Sequence, residues 1–304
     1  MRYTLAVILP AIVGITAYAK QSHSPAKVNE LVQIPDWIEN VATRPNKNLL
    51  LTTIGRARVY SLDPTKTSPS PQVITQIEDV NGLFGITEVG HDVFAVVGGN
   101  FTDSTFLNNT MNLSLLDFTG GKSKPTVRTV FKNSEYGPVN GITTLPHSNH
   151  IILAADSTRG KILRIDVHTG QVDIAIDDDE LAIVPGGPFS AGVNGLKVFH
   201  DHLYFTNTAS QTLNRVKIDR LGNVIGKYEM VYKFASTFPD DFVVDKHGNA
   251  FVACWMDKLV KITPAGKMSV LSQGLLAGPT AVALDQDEKT LYVVTAGQGE
   301  GVTG

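Results

Sequence analysis

The sequence predicts an all-β chain folded as a six-bladed β-propeller. Three observations predict this fold. A unit of two or three apolar strands with polar turns recurs, it repeats about every 48 residues, and no amphipathic helix of convincing length is present. A period of roughly 40 to 50 residues with several strands per unit is typical of propellers. Two β-sandwich domains are the competing prediction, which the even period and the absence of a linker disfavour.

The composition excludes several classes of protein. The 304 residues carry a formal net charge of −3, so no basic stripe is available to neutralise phosphates and nucleic-acid binding is disfavoured. The single cysteine, Cys254, cannot form an intramolecular disulfide or supply a zinc cluster. With 42% hydrophobic residues the chain is too apolar for disorder and too mixed for a membrane bundle.

The N-terminal segment resembles a secretion signal. Met1 and Arg2 give a basic start, residues 5–15 are apolar, and residues 17–19 have the small-x-small pattern of a cleavage site. We therefore expect a signal peptide at 1–19, a propeller at 20–304, a secreted protein and no membrane contact after signal removal; an uncleaved anchor is the alternative. Three N-glycosylation sequons agree with secretion, at Asn100, Asn108 and Asn112.

The strands follow in order along the chain. Pairs of apolar strands are predicted near residues 41–52, 85–97, 141–155, 195–207, 241–255 and 281–295. Third strands with alternating polarity follow at 57–62, 161–166, 212–218 and 258–263. The last unit has only two clear strands. Residues 28–34 are expected to supply its outer strand, and a three-stranded blade is the alternative.

Alignment of the six units places one residue of each unit at an equivalent position, just ahead of the innermost strand: Glu39, Phe84, Asn140, Asn194, Asp240 and Thr280. In a propeller these positions line one mouth of the central channel. Two carboxylates and two amides that converge there suit one hard divalent cation, Ca²⁺ before others. The alternative is that they are ordinary turn residues before a strand. Phe84 and Thr280 are expected to shape the substrate side.

The second strands end at the same mouth, and three of their terminal residues are predicted to contact substrate: Asp156, Asn207 and Trp255. Trp255 is suited to stacking on a planar ligand. Cys254 is expected to be a small buried residue, because no histidine accompanies it. The histidines beyond His23 fall in or beside turns away from this mouth, which disfavours a Ser-His-Asp triad.

The chain resembles the senescence marker protein/gluconolactonase-like six-bladed propellers, and most closely their large fungal secreted branch. The motifs Pro35-Asp-Trp-Ile-Glu39, Val139-Asn140-Gly, Val193-Asn194-Gly and Pro239-Asp240-Asp carry the resemblance. It implies that Glu39, Asn194 and Asp240 bind metal, that Asn140 contacts substrate, and that Asp240 acts as a base in lactonase members. Pro138 stands where the lactonases keep an arginine, which argues against sugar-lactone hydrolysis.

Three functions are compatible with these residues. The fungal branch includes proteins similar to hetero-Diels–Alderases, which implies a pericyclase of secondary metabolism. It would join a quinone-methide-type or tropolone heterodiene to a terpene alkene, giving a meroterpenoid, with Asn140, Asn194 and Asp240 as catalytic groups. A metal-dependent lactonase and a non-enzymatic, secreted small-ligand-binding propeller are the alternatives. The expected partner is a hydrophobic small molecule, and the sequence predicts no oligomeric state.

Overall fold

The computed structural model describes the backbone of residues 4–10 together with residues 27–102, 105–187 and 189–297. It consists of six blades arranged around an axis, which confirms the predicted fold class. Neighbouring inner strands contact one another in cyclic order around this axis, so the ring is closed. None of the helices in these residues has the length and apolarity needed to cross a bilayer.

Each blade has four strands, counted from the axis outwards. Strands β1 (Thr4–Pro10) and β2 (Lys27–Ile34) belong to the last blade. Blade 1 comprises β3 (Trp37–Thr43), β4 (Leu49–Ile54), β5 (Arg58–Leu62) and β6 (Gln72–Gln76). Blade 2 comprises β7 (Gly82–Gly90), β8 (Val93–Gly99), β11 (Met111–Asp117) and β12 (Thr126–Ser134), with a small hairpin of β9 (Phe101–Thr102) and β10 (Thr105–Phe106) inserted after β8.

The remaining blades follow the same plan. Blade 3 comprises β13 (Val139–Thr144), β14 (Ile151–Asp156), β15 (Lys161–Asp166) and β16 (Val172–Asp177), followed by a 3₁₀ helix at Asp179–Leu181. Blade 4 comprises β17 (Val193–Phe199), β18 (His202–Asn207), β19 (Thr212–Lys217) and β20 (Glu229–Lys233). Blade 5 comprises β21 (Phe238–Val244), β22 (Ala250–Trp255), β23 (Lys258–Ile262) and β24 (Met268–Gln273). Blade 6 comprises β25 (Pro279–Leu284), β26 (Thr290–Thr295), β1 and β2.

Apolar side chains fill the space between neighbouring blades. The described residues form six core clusters, one at each junction of the ring. Between blades 5 and 6, for example, Phe251 and Leu291 belong to the same cluster. Second strands such as β14 are buried on both faces because each face packs against an adjacent blade, which explains their continuous apolar sequences.

Every inner strand has an irregularity in its pairing near the mouth of the channel. In β17, Asn194 and Gly195 together lie opposite the single residue Thr206 of β18. Equivalent irregularities fall at the aligned residue of β3, β7, β13, β21 and β25. A β-bulge of this kind releases a residue from the ladder and re-aims its side chain. The bulges therefore explain why the aligned residues leave the regular pairing of the sheets.

The last blade is closed by N-terminal strands, in the order β25, β26, β1, β2. Strand β2 confirms that residues 28–34 supply the outer strand. Strand β1 pairs in parallel with both β26 and β2, and it lies inside the segment predicted to be a removable signal. The same residues fit both assignments, because an apolar run suits a signal peptide as well as a strand beside the edge of β26. A chain that begins at residue 20 lacks β1, so the two assignments exclude each other; the predicted cleavage site at 17–19 lies outside the described residues.

Candidate functional site

Four aligned side chains meet at the mouth of the channel: Glu39, Asn140, Asn194 and Asp240. Asn194 hydrogen bonds to the Asp240 carboxyl, and the charge on Glu39 acts on the same carboxyl. Asn140 hydrogen bonds to Glu39. We call these four residues, from blades 1, 3, 4 and 5, the carboxyl–amide cluster. The structure thus brings together residues that are up to 201 positions apart in the chain.

Asp240 has a strongly perturbed carboxyl group. Burial raises its pKa well above the ordinary value, and the negative charges of Glu39 and Asp241 raise it further. The hydrogen bond from Asn194 opposes this rise without cancelling it. Removal from water therefore dominates, and the site favours the neutral acid unless a positive charge is supplied.

Glu39 is perturbed in the same direction. Burial raises its pKa to about 7, whereas the hydrogen bond from Trp37 lowers it. The indole Nε1 of Trp37 donates to Glu39 Oε2 at 2.9 Å. Two carboxyls this close cannot both ionise at neutral pH without compensation, so the pair needs a shared proton or a cation.

Asn194 leaves an acceptor free beside these carboxyls. Its Nδ2 donates to Thr208 Oγ1 at 3.0 Å, whereas its buried Oδ1 has no hydrogen-bond partner. Among the described residues no group of three or more His, Cys, Asp or Glu side chains could hold a metal. A cation at the mouth would therefore depend on the Asn194 oxygen as well as on Glu39 and Asp240, and this oxygen-rich donor set fits Ca²⁺.

A separate network lies one residue further along the inner strands. Asn40 donates to Asp241 Oδ2 at 2.9 Å, and Lys197 Nζ donates to Asp241 Oδ1 at 2.7 Å. Lys197 also lies 5.4 Å above the ring of Phe242. Because Lys197 compensates Asp241, it does not balance the charge of Glu39 or Asp240.

Aromatic rings form the other part of the mouth. We call this set the aromatic side; it consists of Trp37, Phe84, Phe101, Phe106 and Trp255. Trp37 stacks on Trp255 with centroids 5.7 Å apart and an interplanar angle of 25°, and it meets the edge of Phe101 at 6.3 Å. Phe106 continues the set, at 5.0 Å from Phe101 and 5.3 Å from Phe84. The hydrogen bond from Trp37 to Glu39 joins the aromatic side directly to the carboxyl–amide cluster.

Trp37, Phe101 and Phe106 were not among the residues predicted to lie at the mouth. Trp37 could have been found, because it precedes Glu39 by two residues and alternate residues of a strand share a face. Phe101 and Phe106 lie in the hairpin β9–β10, an insertion with no counterpart in the other described blades, so the repeat gave no signal for them.

Two of the aligned residues, Phe84 and Thr280, make contacts between blades, and their predicted role on the substrate side stays a prediction. Thr280 is buried, and its hydroxyl donates to the Ile38 carbonyl at 2.8 Å, which ties blade 6 to blade 1. Phe84 is also buried, with its ring beneath Phe106. Both side chains thus contact residues of the mouth or of a neighbouring blade.

Two strand-end residues, Asp156 and Asn207, are also fully buried, and their predicted contact with substrate stays a prediction. Asp156 accepts hydrogen bonds from the Gly137 backbone at 2.9 Å and from the Arg159 guanidinium at 3.1 Å. Asn207 donates to the carbonyls of Glu180 and Ala182, and so holds the loop that leads into blade 4. Their polar groups are used to fix loops, whereas Trp255 does lie at the mouth.

No described histidine accompanies the cluster, and its neighbouring thiol is not activated. Cys254 is buried, and burial raises the pKa of its thiol, so a reactive thiolate is disfavoured. The described histidines lie in or beside turns at the opposite end of the blades: His91, His147, His150, His168, His200, His202 and His247. His23 lies outside the described residues.

The three sequons differ in accessibility. Asn108 is exposed. Asn100 is half-buried, and its Oδ1 accepts from the Asn81 backbone at 2.9 Å. Asn112 is only 2% exposed within β11, and its Oδ1 accepts from Asn133. Glycosylation stays a prediction at all three sequons, and Asn112 is the least accessible of them.

Comparison with known proteins agrees with this geometry. Residues 188–297 match the family model described as SMP-30/Gluconolactonase/LRE-like region. The chain is 27% identical over 339 aligned residues to a "Putative hetero-Diels-Alderase" from Phoma sp, covering 96% of this chain and 95% of that protein. A protein of the same description from Sarocladium schorii is 29% identical over 208 residues, 61% of this chain and 52% of that protein.

A solved gluconolactonase from Xanthomonas campestris shares the fold, with a TM-score of 0.58 at 14% identity and coverage of 85% of this chain and 82% of that one. These findings confirm the resemblance inferred from the motifs. Residues 188–297 are thus similar to the SMP-30/gluconolactonase-like family, and nearly the whole chain is similar to a fungal protein named "Putative hetero-Diels-Alderase".

Proposed function

We propose that this chain catalyses a hetero-Diels–Alder cycloaddition, in which a quinone-methide-type or tropolone heterodiene joins a terpene alkene to give a meroterpenoid. One observation carries the proposal: a set of aromatic rings is hydrogen bonded, through Trp37, to a buried carboxyl–amide cluster. The names of the fungal relatives support the same reaction class.

The chemistry of a cycloaddition matches what the mouth offers. Two σ bonds form at the expense of π bonds, so no nucleophile is needed. Catalysis requires that the two partners be held in contact and that the heterodiene oxygen be polarised. Apolar rings can hold the alkene and exclude water, and the oxygen would lie against the Asn140 amide and the Asp240 carboxyl.

The cluster also fits a divalent cation, which gives the second candidate function. Glu39, Asn194 and Asp240 would hold the ion, and when bound it would polarise a substrate oxygen. A metal-dependent lactonase would use the same arrangement with Asp240 as the base that activates water, and the match of residues 188–297 to the gluconolactonase-like model favours it. A non-enzymatic ligand-binding propeller would keep the cluster without turnover.

The test is to incubate the purified protein with a quinone methide generated in place and a terpene alkene, and to resolve the products by chiral chromatography. We expect an excess of one enantiomer over the uncatalysed mixture, and Asp240→Asn should retain most of the rate. A lactonase would instead hydrolyse sugar lactones, lose activity with chelator, and lose about 10²–10⁴-fold in Asp240→Asn. Racemic product at the background rate rejects the cycloaddition.

We also propose that the protein is secreted. The basic start, the apolar run and the small-x-small site support this proposal, as does the exposed sequon at Asn108. Secretion would place the protein where glycosylation of Asn108 can occur.

A further inference from the structure

The mouth of the channel has two chemically different sides. Asn140, Asn194 and Asp240 supply polar groups from blades 3, 4 and 5. Blades 1 and 2, with Trp255 at the end of β22, supply the aromatic side. Glu39 of blade 1 and Trp255 of blade 5 lie where the two sides meet, and a ligand that contacts both sides must itself be amphiphilic.

Exposed apolar residues follow two of the rings in the sequence. Leu107 follows Phe106 directly and is 41% exposed, and Met256 follows Trp255 and is 62% exposed. Trp37, Phe101, Phe106 and Trp255 are each half-buried, so part of each ring still meets solvent. Covering such a surface with hydrocarbon is favourable in proportion to the apolar area removed from water.

Trp37 belongs to both sides. Its ring contacts Trp255 and Phe101, while its N–H donates to Glu39 of the cluster. A ring held by stacking on one side and by a hydrogen bond to a buried carboxyl on the other has a restricted orientation. The distance between the hydrocarbon surface and the polar groups is therefore set by this one side chain.

We infer that the mouth binds an oxygen-bearing hydrocarbon in a single orientation, with the hydrocarbon on the aromatic side and the oxygen toward Asn194 and Asp240. Trp37 is the positioning residue that fixes the distance between these two subsites. The inference deepens the proposed function and rests on it for the statement that the ligand is a substrate.

Intrinsic fluorescence gives a direct measurement of binding. The chain has two tryptophans, Trp37 and Trp255, and both belong to the stacked pair. The probes are geraniol, a branched alkene with one hydroxyl, and myrcene, a hydrocarbon of similar size without it. We expect both to change the emission saturably, and geraniol to bind about three- to tenfold more tightly, because its hydroxyl meets the polar side.

Three variants separate the subsites. Phe106→Ala should weaken both probes, because it removes hydrocarbon contact. Asn194→Ala should weaken geraniol and leave myrcene nearly unchanged. Trp37→Phe keeps a ring and loses the N–H, so it should abolish the preference for geraniol over myrcene while myrcene still binds. The control, Met230→Ala on the outer strand β20, is 62% exposed and should change neither probe.

A purely structural role for Trp37 would weaken both probes equally, and this result would overturn the inference, as would unchanged affinities in Phe106→Ala. Thermal melts establish that each variant is folded, and Trp37→Tyr replaces Trp37→Phe if that variant is not. Failure of the inference is distinguishable from failure of the proposed function. Stereoselective cycloaddition with unselective probe binding rejects only the inference, whereas selective binding without cycloaddition rejects only the reaction.

Discussion

Glu39 and Asp240 form a pair in which burial outweighs every favourable contact. Each receives a hydrogen bond that favours its ionised form, from Trp37 and from Asn194, yet both pKa values are raised. Lys197 is engaged by Asp241 and gives them no compensation. A proton, a cation or a polar ligand atom can compensate the charge of this pair. Without such a partner, the buried ionised carboxyls lower the stability of the fold.

The raised pKa of Glu39 predicts a pH dependence of folding. The native state holds a proton on Glu39 up to about pH 7, whereas the unfolded chain releases it near the ordinary value of 4.5. The free energy of unfolding should therefore fall as pH rises through this window, by on the order of 3 kcal/mol. Glu39→Gln should remove the part of this slope that comes from Glu39, keep the part that comes from Asp240, and be more stable than the parent above pH 7.

Urea unfolding across this pH range, in the presence of chelator, measures the effect. The exposed Glu78→Gln is the control and should keep the parental slope. Added Ca²⁺ should stabilise the parent above pH 7 and have a smaller effect on Glu39→Gln. An unchanged slope in Glu39→Gln would show that Glu39 is not the titrating group.

Residue spacing was sufficient to predict the members of the cluster. It did not predict the hydrogen-bond partners of the other aligned residues. The repeat placed Glu39, Asn140, Asn194 and Asp240 at one mouth because equivalent blade positions converge on the axis. It could not separate them from Thr280, whose hydroxyl is used by the Ile38 carbonyl. Hydrogen-bond partners depend on contacts between distant blades, which spacing within one blade does not specify.

At the scale of elements, the bulges in the inner strands decide where the site residues point. Each of the two amides, Asn140 and Asn194, is followed by a glycine that allows the next inner strand to approach closely. A Cβ on Gly141 would lie 2.3 Å from the Asn194 carbonyl oxygen, and one on Gly195 would lie 2.6 Å from Asp241 Oδ1. Thr206 then satisfies the bulge, because its hydroxyl accepts from the Gly195 N–H and donates to the Asp240 carbonyl.

Gly141→Ala tests this close approach. The added methyl must push the inner strand of blade 4 away, which should cost about 1–3 kcal/mol and displace Asn194 from Asp240. We expect a lower melting temperature and weaker geraniol binding. Gly90→Ala is the matched control, since a Cβ there meets only Val93 at 3.8 Å. Equal melting temperatures for the two variants would contradict the proposed packing.

The strands of most blades were predictable, because buried strands give continuous apolar runs and half-exposed strands give alternating runs. The bulges were not predictable, because they add residues without changing the apolar pattern. The hairpin β9–β10 was not predicted either, because it is an insertion with two short strands. Two of the five residues of the aromatic side, Phe101 and Phe106, therefore escaped a prediction that depended on the repeat.

At the scale of the whole molecule, closure of the ring depends on which strands follow β26. Strand β2 takes the outer position, and the parallel strand β1 lies between them. The proposed secretion of the protein would remove β1 together with residues 1–19.

The N-terminus of the exported protein distinguishes these assignments. Expression of the full chain in a fungal host, followed by N-terminal sequencing of the protein from the medium, should give Lys20 as the first residue. Recovery of Met1 or Arg2 in a folded protein would instead establish β1 as a strand of blade 6. A melt of a chain that starts at residue 20 then shows how much stability β1 contributes.

The central claim is that the carboxyl–amide cluster is where the cycloaddition takes place. The most direct measurement is the enantiomeric excess and rate of cycloadduct formation by Asn194→Ala, compared with Asn149→Ala at the exposed opposite end of blade 3. We predict that Asn194→Ala, while folded, loses at least about tenfold in rate and most of its selectivity, and that Asn149→Ala matches the parent. Parental rate and selectivity in a folded Asn194→Ala variant would contradict the claim.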